Sequence, residues 1–428
     1  MMFSCTNPST DSTLSPDPDY LLPMETVEED YAFVNLRTGE ELPGRFASAS
    51  MFFEDRALVQ DNSTLRYGYI DPSGNYAIDP QYVYATYFVN GTAFVALPDS
   101  GLIAINTNGQ KLFDLPDVET VSFIRPDLAC GTLSNGNSCL IDLKGNITNV
   151  GSDKQVIPMF INHSDLILAE QIDNEKFGLI DATGEIVIPF EYDILTPPDK
   201  NGIMYYEIDD VGYTQAGLLS KDGEKITETY YDAIHICSDR TYCVKTNDKW
   251  GVINDKGELI IPIQFDEIIK DGDLYIIQQG DLYGWCDKEG HIVINPQFSE
   301  IYPFGKEEIT PVRSGREFGY INKKGKFILN PQFSTAGCFS EGLAPVIKSD
   351  DDDDLIGYID QEGKFKINPQ FNRASSFIGD LALVIKDDQV GFIDKTGSFT
   401  INPQFSDLIF SKDFSINESI GDSYLPCR

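Results

Sequence analysis

The feature that most constrains the fold is a short motif that recurs along almost the entire chain. KWGVINDKGELIIPIQF at 249–265 and YGWCDKEGHIVINPQF at 283–298 are two copies of it. Counted from the first Gly of each copy, the later copies start 33 to 39 residues apart, at Gly178, Gly217, Gly251, Gly284, Gly319, Gly357 and Gly391. Gly68 opens an earlier copy, and Ala32, Ile103 and Cys139 hold the same place in less regular ones. Self-similarity at this period indicates a tandem repeat fold.

Each copy has the residue pattern of a β-hairpin. In GYIDQEGKFKINPQF, Asp360 and Gly363 have turn chemistry, because an Asp side chain bonds the backbone two residues on and Gly adopts positive φ. Apolar residues on either side predict short strands, and Pro369 marks a strand end or edge. The aromatic that follows, here Phe371, is predicted to fill the seam between units. The residues expected to carry the repeated structure are Gly251, Gly257, Gly284, Gly290, Gly319, Gly325, Gly357, Gly363, Gly391, Gly397, Trp250, Phe298, Phe333, Phe371 and Phe405.

The predicted fold is all-β, a tandem array of about eleven three-stranded antiparallel units over residues 31–428. A unit of this size cannot bury its own apolar faces, so it must stack on its neighbours. An open, curved stack is favoured, because β-propellers usually close with about four to eight blades of four strands. A propeller-like ring is the alternative. The irregular stretch near residues 150–170 is a candidate boundary between two sub-arrays.

The segment KWGVINDKGELIIPIQFDEI resembles the WG-repeat family of bacterial proteins, in which Trp-Gly or a similar pair opens a β-rich unit of about this length. The resemblance covers most of the chain and is strongest from Phe177 onward. Trp precedes the Gly only at Trp250; Tyr67, Phe177, Tyr283 and Phe318 stand there in other copies, and Ile356 and Val390 lack the ring. The resemblance implies a β-repeat fold and an interaction role, and it supplies no catalytic residues.

The sequence contains few residues arranged for catalysis or for binding a cofactor. The three histidines, His163, His235 and His291, lie in different copies at non-equivalent places. Phosphate-binding and nucleophile motifs are absent. We therefore predict no catalytic residue, no cofactor and no enzymatic activity.

An acidic run at 350–354 is the one candidate for a metal site. Asp350, Asp352 and Asp354 are weak calcium candidates, because adjacent carboxylates repel one another and a divalent cation relieves that repulsion. A solvated loop is the simpler interpretation. The run has no Gly at the place an EF-hand loop requires.

The charge balance restricts the partners. The chain has 32 basic and 68 acidic side chains, a net charge of −36. Such a surface repels phosphate backbones, so we predict no nucleic-acid partner. It favours basic or cation-bridged partners, although solubility alone also explains it.

The N-terminal segment differs from the rest of the chain. Residues 1–30 are rich in Ser, Thr, Pro and Asp and are predicted to form a polar, disordered tether. Cys5 followed by such a tether resembles the start of a mature bacterial lipoprotein, which makes Cys5 a lipidation candidate. No apolar run reaches the ~20 residues of a membrane helix. The protein is therefore expected on the bacterial cell envelope with a lipid anchor if Cys5 is lipidated, and in the cytoplasm otherwise.

Two cysteines have the spacing of a hairpin cross-link. Cys237 and Cys243 lie symmetrically about Arg240, so a disulfide between them is plausible in an oxidising compartment. Buried, unpaired thiols are the alternative.

These observations favour a non-enzymatic interaction scaffold that binds a protein partner through loops that vary between copies. A carbohydrate-binding module using exposed aromatic rings is the first alternative. A hydrolase on a propeller-like scaffold is the second; its site would interrupt the repeat symmetry, and residues 130–166 are the place to look.

Overall fold

The computed structural model describes residues 21–36, 38–161, 164–210, 213–227, 230–238, 240–348 and 354–408. These residues form antiparallel β-strands and turns, with no α-helix among them. The all-β class and the array of small antiparallel units are as predicted. Cys5, His163, Asp350 and Asp352 lie outside the described residues.

The strands follow one another in units, which we number 1 to 11 along the chain. Unit 1 contains β1 (Leu21–Thr26) and β2 (Tyr31–Asn35), and unit 2 contains β3 (Phe46–Phe53), β4 (Arg56–Asp61), β5 (Tyr67–Ile70) and β6 (Tyr76–Tyr82). Unit 3 contains β7 (Tyr84–Ala85), β8 (Thr92–Ala96), β9 (Leu102–Asn106) and β10 (Lys111–Leu115). Unit 4 contains β11 (Val118–Arg125), β12 (Leu128–Leu133), β13 (Ser138–Asp142) and β14 (Ile147–Asn149).

Unit 5 contains β15 (Lys154–Val156), β16 (Ile167–Gln171), β17 (Lys176–Ile180) and β18 (Ile186–Tyr192), and unit 6 contains β19 (Ile194–Leu195), β20 (Ile203–Asp210) and β21 (Tyr213–Ser220). Unit 7 contains β22 (Ala233–Ser238), β23 (Thr241–Thr246), β24 (Lys249–Asn254) and β25 (Leu259–Phe265). Unit 8 contains β26 (Glu267–Asp271), β27 (Leu274–Gln279), β28 (Leu282–Cys286) and β29 (Ile292–Phe298).

Unit 9 contains β30 (Glu300–Ile301), β31 (Ile309–Ser314), β32 (Glu317–Asn322) and β33 (Phe327–Ala336). Unit 10 contains β34 (Ala344–Lys348), β35 (Ile356–Ile359) and β36 (Phe365–Phe371). Unit 11 contains β37 (Arg373–Ala374), β38 (Leu381–Lys386), β39 (Gln389–Asp394) and β40 (Phe399–Leu408). The long β33 serves units 9 and 10 in turn.

A typical unit has four strands rather than the three that the sequence predicts. Five sheets of the described chain contain four consecutive strands, for example β26–β29. The additional strand is the first of each unit and follows the plug aromatic directly. It is two residues long in β7, β19, β30 and β37. A strand of this length shows no alternation of apolar and polar residues, which explains why the pattern reads as a connector.

The two ends of the array meet. Residues of β1 pair with the last part of β40, with Met24 opposite Leu408 and Glu25 opposite Asp407. Units 11, 1 and 2 thus share one ten-stranded sheet. Every sheet among the described residues is open at both edges, but the order of units returns to its start. The sheets are open, as expected for the array, and the pairing of β1 with β40 is a feature of the ring alternative.

The apolar core has the same circular organisation. Eleven buried clusters lie within the described chain, and each combines residues of two consecutive units. One of them packs Met24, Ala32 and Val34 of unit 1 against Phe392 and Phe405 of unit 11. A ring of eleven units has eleven seams, whereas an open stack has ten. Burial at the seams stabilises the ring, as expected of units that cannot form a core alone.

Two expected boundaries also differ. The repeat domain begins at Leu21 rather than at residue 31, because β1 pairs with β2 and β40 and buries Leu21 and Met24. Near residues 150–170 the core continues, since Val150 of unit 4 and Val156 and Ile167 of unit 5 belong to one cluster.

Candidate functional site

The recurrent Asp of each hairpin is a turn residue in the structure. Oδ1 of Asp360 accepts hydrogen bonds from the backbone N–H groups of Glu362 at 3.1 Å and Lys364 at 2.9 Å. The bond from Lys364 is the largest of the interactions that hold the pKa of Asp360 below its ordinary value. The Gly that closes the turn has positive φ, 78° at Gly363. The same holds at Gly257, Gly290, Gly325 and Gly397, with φ of 77°, 84°, 72° and 82°. These Asp side chains, like Asn254 and Asn322 in the hairpins of Gly257 and Gly325, therefore hold the turns through hydrogen bonds from the backbone.

The first Gly of each copy lies where two strands approach closely. A Cβ on Gly284 would lie 2.3 Å from the carbonyl oxygen of Ile294 and 2.6 Å from the nitrogen of Pro296. The ladder between β28 and β29 is irregular at this point. Gly251, Gly319, Gly357 and Gly391 have the same environment, with a carbonyl oxygen of the next strand at 2.6, 2.7, 2.7 and 2.8 Å. No larger side chain fits without separating the strands.

The plug aromatics are buried at the seams. Phe298, Phe333, Phe371 and Phe405 expose at most 2% of their surface. Phe298 and Phe371 each meet a ring of the next unit edge-on, Phe327 and Phe399 respectively. Trp250 is half-buried and stacks on His235 at 4.9 Å. The four Phe rings therefore serve packing and present no free face.

A second ring contact at the seams was not foreseen from the sequence. The residue after the first Gly packs against a ring in the loop between the first two strands of the next unit. Ring centroids are 4.7 to 5.0 Å apart in the pairs Tyr69–Phe88, Trp285–Phe304, Tyr320–Phe339 and Tyr358–Phe377. The loop ring follows the plug aromatic by six residues, a spacing that the sequence does contain.

Both rings of this pair are missing at four consecutive seams in the middle of the chain. Between units 4 and 8 the residue after the marker position is Leu140, Leu179, Leu218 or Val252. The corresponding loop position holds Met159, Pro198, Cys237 or Asp271. The repeat symmetry is therefore broken over a continuous stretch of the ring, and the loops there are free to differ.

Asp271 holds the loop position at the seam of units 7 and 8, but its side chain makes its hydrogen bonds at the next seam. Its carboxylate is 5% exposed and accepts hydrogen bonds from Nε1–H of Trp285 at 2.8 Å and from the backbone N–H of Phe304 at 3.0 Å. Burial raises the pKa of Asp271. This side chain therefore links units 8 and 9 beside the ring pair of Trp285 and Phe304.

A groove of about 340 Å³ opens in the asymmetric stretch, between loops of units 5, 6 and 7. It is lined by Met159, Phe160, Ile161, Thr196, Pro197, Asp199, Ile203, Tyr205, Ile236 and Tyr242. All of these lie in or beside the connection between the first two strands of their unit. The groove is thus built by one loop position, repeated three times and different each time.

Three apolar side chains of the groove face solvent. Met159 and Phe160 are each 46% exposed and Ile236 is 63% exposed. Exposed apolar side chains that converge in one concavity, rather than lying singly, are typical of binding surfaces.

The groove has a rigid polar base. Asp199 Oδ1 accepts from the backbone N–H groups of Asn201 and Ile203 at 2.8 and 2.9 Å, and Oδ2 accepts from the Tyr242 hydroxyl at 2.9 Å. Tyr242 belongs to unit 7 and Asp199 to unit 6, so this contact fixes the two loops relative to each other. The hydroxyl of Tyr205 bonds to Glu207. Burial raises the pKa of Glu207.

A disulfide lies beside the groove. Cys237 and Cys243 are joined across the hairpin of β22 and β23, with their Cα atoms 5.6 Å apart. Ile236 and Tyr242, their neighbours in sequence, are paired across the same hairpin. By contrast, Cys130, Cys139 and Cys286 are buried free thiols. Burial raises their pKa values, to about 12 for Cys130, about 11 for Cys139 and about 12 for Cys286.

The remaining polar candidates do not join this site. Asp287, Glu289 and His291 lie close enough to share an ion, with ligand atoms within 4.8 Å, but Oδ1 of Asp287 already accepts two backbone hydrogen bonds of its turn. Asp354, the one described member of the acidic run, is exposed. No helix in the described part of the chain is long and apolar enough to cross a membrane.

Solved structures with a likeness to the chain have low similarity. A eukaryotic initiation factor has 11% sequence identity and a TM-score of 0.38, with 80% of this chain and 94% of that chain covered. PorZ of Porphyromonas gingivalis, a bacterial surface component of the type-IX secretion system, has 10% identity and a TM-score of 0.24, covering 74% and 51%. BamB from Moraxella catarrhalis has 9% identity and a TM-score of 0.28, covering 74% and 97%. These scores are too low to support an argument about shape or function.

The repeats themselves identify the family. No curated protein matched the chain. The WG containing repeat matches six segments, at residues 67–97, 177–210, 250–283, 283–315, 318–350 and 356–389. Each segment begins at the residue that precedes a marker Gly; the first begins in unit 2 and the last ends in unit 11, and residues 98–176 and 211–249 between them are not matched. The chain belongs to the WG-repeat family.

Proposed function

We propose that the protein is a non-enzymatic interaction scaffold whose groove between units 5, 6 and 7 binds an apolar segment of a basic protein partner. The observation that carries the proposal is the convergence of Met159, Phe160 and Ile236 on one groove where the recurrent ring pairs are absent. Apolar anchors in a concave, well-supported surface supply most of the affinity in protein interfaces.

The charge of the chain supports a basic partner. With 68 acidic and 32 basic side chains, long-range attraction favours a positively charged protein and weakens as salt is added. Lys and Arg side chains flanking an apolar anchor would meet this surface.

The chemistry of the groove supports binding rather than catalysis. Its lining includes one carboxylate, Asp199, and both oxygens of that carboxylate accept hydrogen bonds from the fold. The buried thiols Cys130 and Cys139 of the neighbouring region have raised pKa values, which makes them poor nucleophiles.

Site-specific photo-crosslinking tests the proposal. A photo-reactive phenylalanine analogue replaces Phe160, and a matched protein carries it at Ile378, which is 79% exposed in unit 11. Envelope and soluble fractions of the source cell serve as prey. We expect one basic protein to be captured at position 160 and not at position 378.

The captured protein is then purified and its affinity is measured. Phe160→Ala should weaken binding by about tenfold or more, as expected of an aromatic anchor, while Ile378→Ala should leave it unchanged. Equal capture at both positions, or an affinity that ignores both Phe160→Ala and salt, would count against the proposal. Capture of glycan that ignores salt would favour the carbohydrate-binding alternative.

We also propose display on the bacterial cell envelope through a lipid on Cys5. The disulfide between Cys237 and Cys243 supports an oxidising compartment. Cys5→Ser should release the protein from the membrane fraction. Unchanged fractionation of this variant would contradict the anchor.

A further inference from the structure

The groove and the disulfide share one hairpin. Ile236 lies on β22 directly before Cys237, and Tyr242 lies on β23 directly before Cys243. The ladder pairs Ile236 with Tyr242 and then shifts register between Ile236 and Ser238. Cys237 therefore sits in the irregularity, and its bond to Cys243 holds β22 in place where the ladder is interrupted.

The two groove residues of the hairpin differ in how they are held. Tyr242 is 2% exposed, and its hydroxyl donates to Asp199 of unit 6 at 2.9 Å. Ile236 is 63% exposed, and its position follows from the backbone beside Cys237. Opening the disulfide leaves Tyr242 anchored and removes the covalent restraint next to Ile236, at the point where the ladder of β22 and β23 is irregular.

We propose that the Cys237–Cys243 disulfide is a redox switch for the groove: the oxidised protein presents Ile236 as a fixed apolar wall, and reduction loosens that wall and weakens binding. This inference rests on the proposed function, because it concerns the regulation of the same groove. A preorganised side chain avoids an ordering cost when a ligand binds, and losing that order corresponds to about a two- to tenfold loss of affinity.

The chemical step is thiol–disulfide exchange with a dithiol reductant. One thiolate of the dithiol attacks Sγ of Cys237, because Cys237 is more exposed than Cys243. Cys243 leaves as a thiolate and takes up a proton. The second thiol of the reductant then displaces Cys237. The protein gains two electrons and two protons, and the reductant becomes a disulfide.

The test uses the full chain with ¹³C-labelled Met methyl groups and the neutral apolar dye Nile red as the groove probe. Met159 reports on the groove, and Met51 of unit 2 is the internal control. Met159→Leu assigns the resonance. The double variant Cys237→Ser/Cys243→Ser represents the open hairpin and controls for any other effect of the reductant.

We expect dye affinity to fall by about two- to tenfold on adding a dithiol, as estimated above, and the Met159 resonance to move while that of Met51 does not. The double variant should resemble the reduced wild type with or without dithiol. If oxidised and reduced wild type bind the dye equally and Met159 does not shift, the switch is refuted and groove binding stands. If oxidised wild type shows no dye binding sensitive to Phe160→Ala, the groove proposal and the switch are refuted together.

Discussion

Replacing the first Gly of a copy tests the reason why the repeat contains it. In Gly284→Ala, the new Cβ would lie 2.3 Å from the carbonyl oxygen of Ile294, whereas ordinary contact begins at 3.4 Å. The overlap is with backbone, so no side-chain rotation relieves it. Strands β28 and β29 must move apart locally by about 1 Å. Overpacking of this kind costs about 1–3 kcal/mol of the free energy of unfolding.

Gly101→Ala is the matched control. Gly101 also has ordinary backbone geometry, and the nearest atom to its added Cβ would be Pro116 Cα at 3.6 Å. Without a clash, Ala at such a position is neutral or slightly stabilising, because it reduces the freedom of the unfolded chain.

Chemical denaturation followed by tryptophan fluorescence and circular dichroism measures the effect. Trp285 is adjacent to Gly284 and fully buried, so its emission reports on the affected unit directly. Gly284→Ala should unfold at clearly lower denaturant than the wild type, and Gly101→Ala should not. Equal stability of both variants would refute the close-approach explanation.

Three further predictions follow from particular contacts. The double variant Glu41→Cys/Gln404→Cys should be joined by a short bismaleimide cross-linker, visible as altered mobility on denaturing gels, because the ends of the two native side chains meet at 3.4 Å across the seam of units 1 and 11. Absence of the cross-link would contradict ring closure. Hydrogen bonds, of which that from the Ser63 hydroxyl is the largest contribution, lower the pKa of Asp61 to about 2 from 3.8. The stability that these bonds contribute is present above pH 3.8 and is lost as the pH falls through about 2. Asp61→Asn should therefore lower the melting temperature at pH 7 and match the wild type in strong acid. Cys130, whose pKa burial raises to about 12, should resist alkylation at pH 8 until the chain is unfolded, as read by peptide mass spectrometry.

The sequence was informative where a feature repeats. The number of units, the hairpin turns at residues such as Asp360 and Gly363, and the seam aromatics all follow from local chemistry that recurs eleven times. Ring closure could not be predicted this way, because it depends on the pairing of β1 with β40 at opposite ends of the chain.

The groove could not be predicted for a different physical reason. Its residues lie where the repeat pattern is lost, and a single sequence does not show which losses coincide in space. One signal was present: the loop ring is replaced at four consecutive seams, from Met159 to Asp271. Missing packing partners in neighbouring units leave loops that can take another role.

The most direct test of the groove as the binding site is the affinity of peptides selected on the intact protein. A displayed library of random twelve-residue peptides is panned at low salt, and the affinities of the selected peptides are measured for Ile236→Asp and for the control Ile378→Asp, both at exposed positions. We predict peptides with an apolar anchor flanked by Lys or Arg, bound about tenfold or more weakly by Ile236→Asp and equally well by Ile378→Asp. Peptides without a shared pattern, or the same affinity for both variants, would contradict the account.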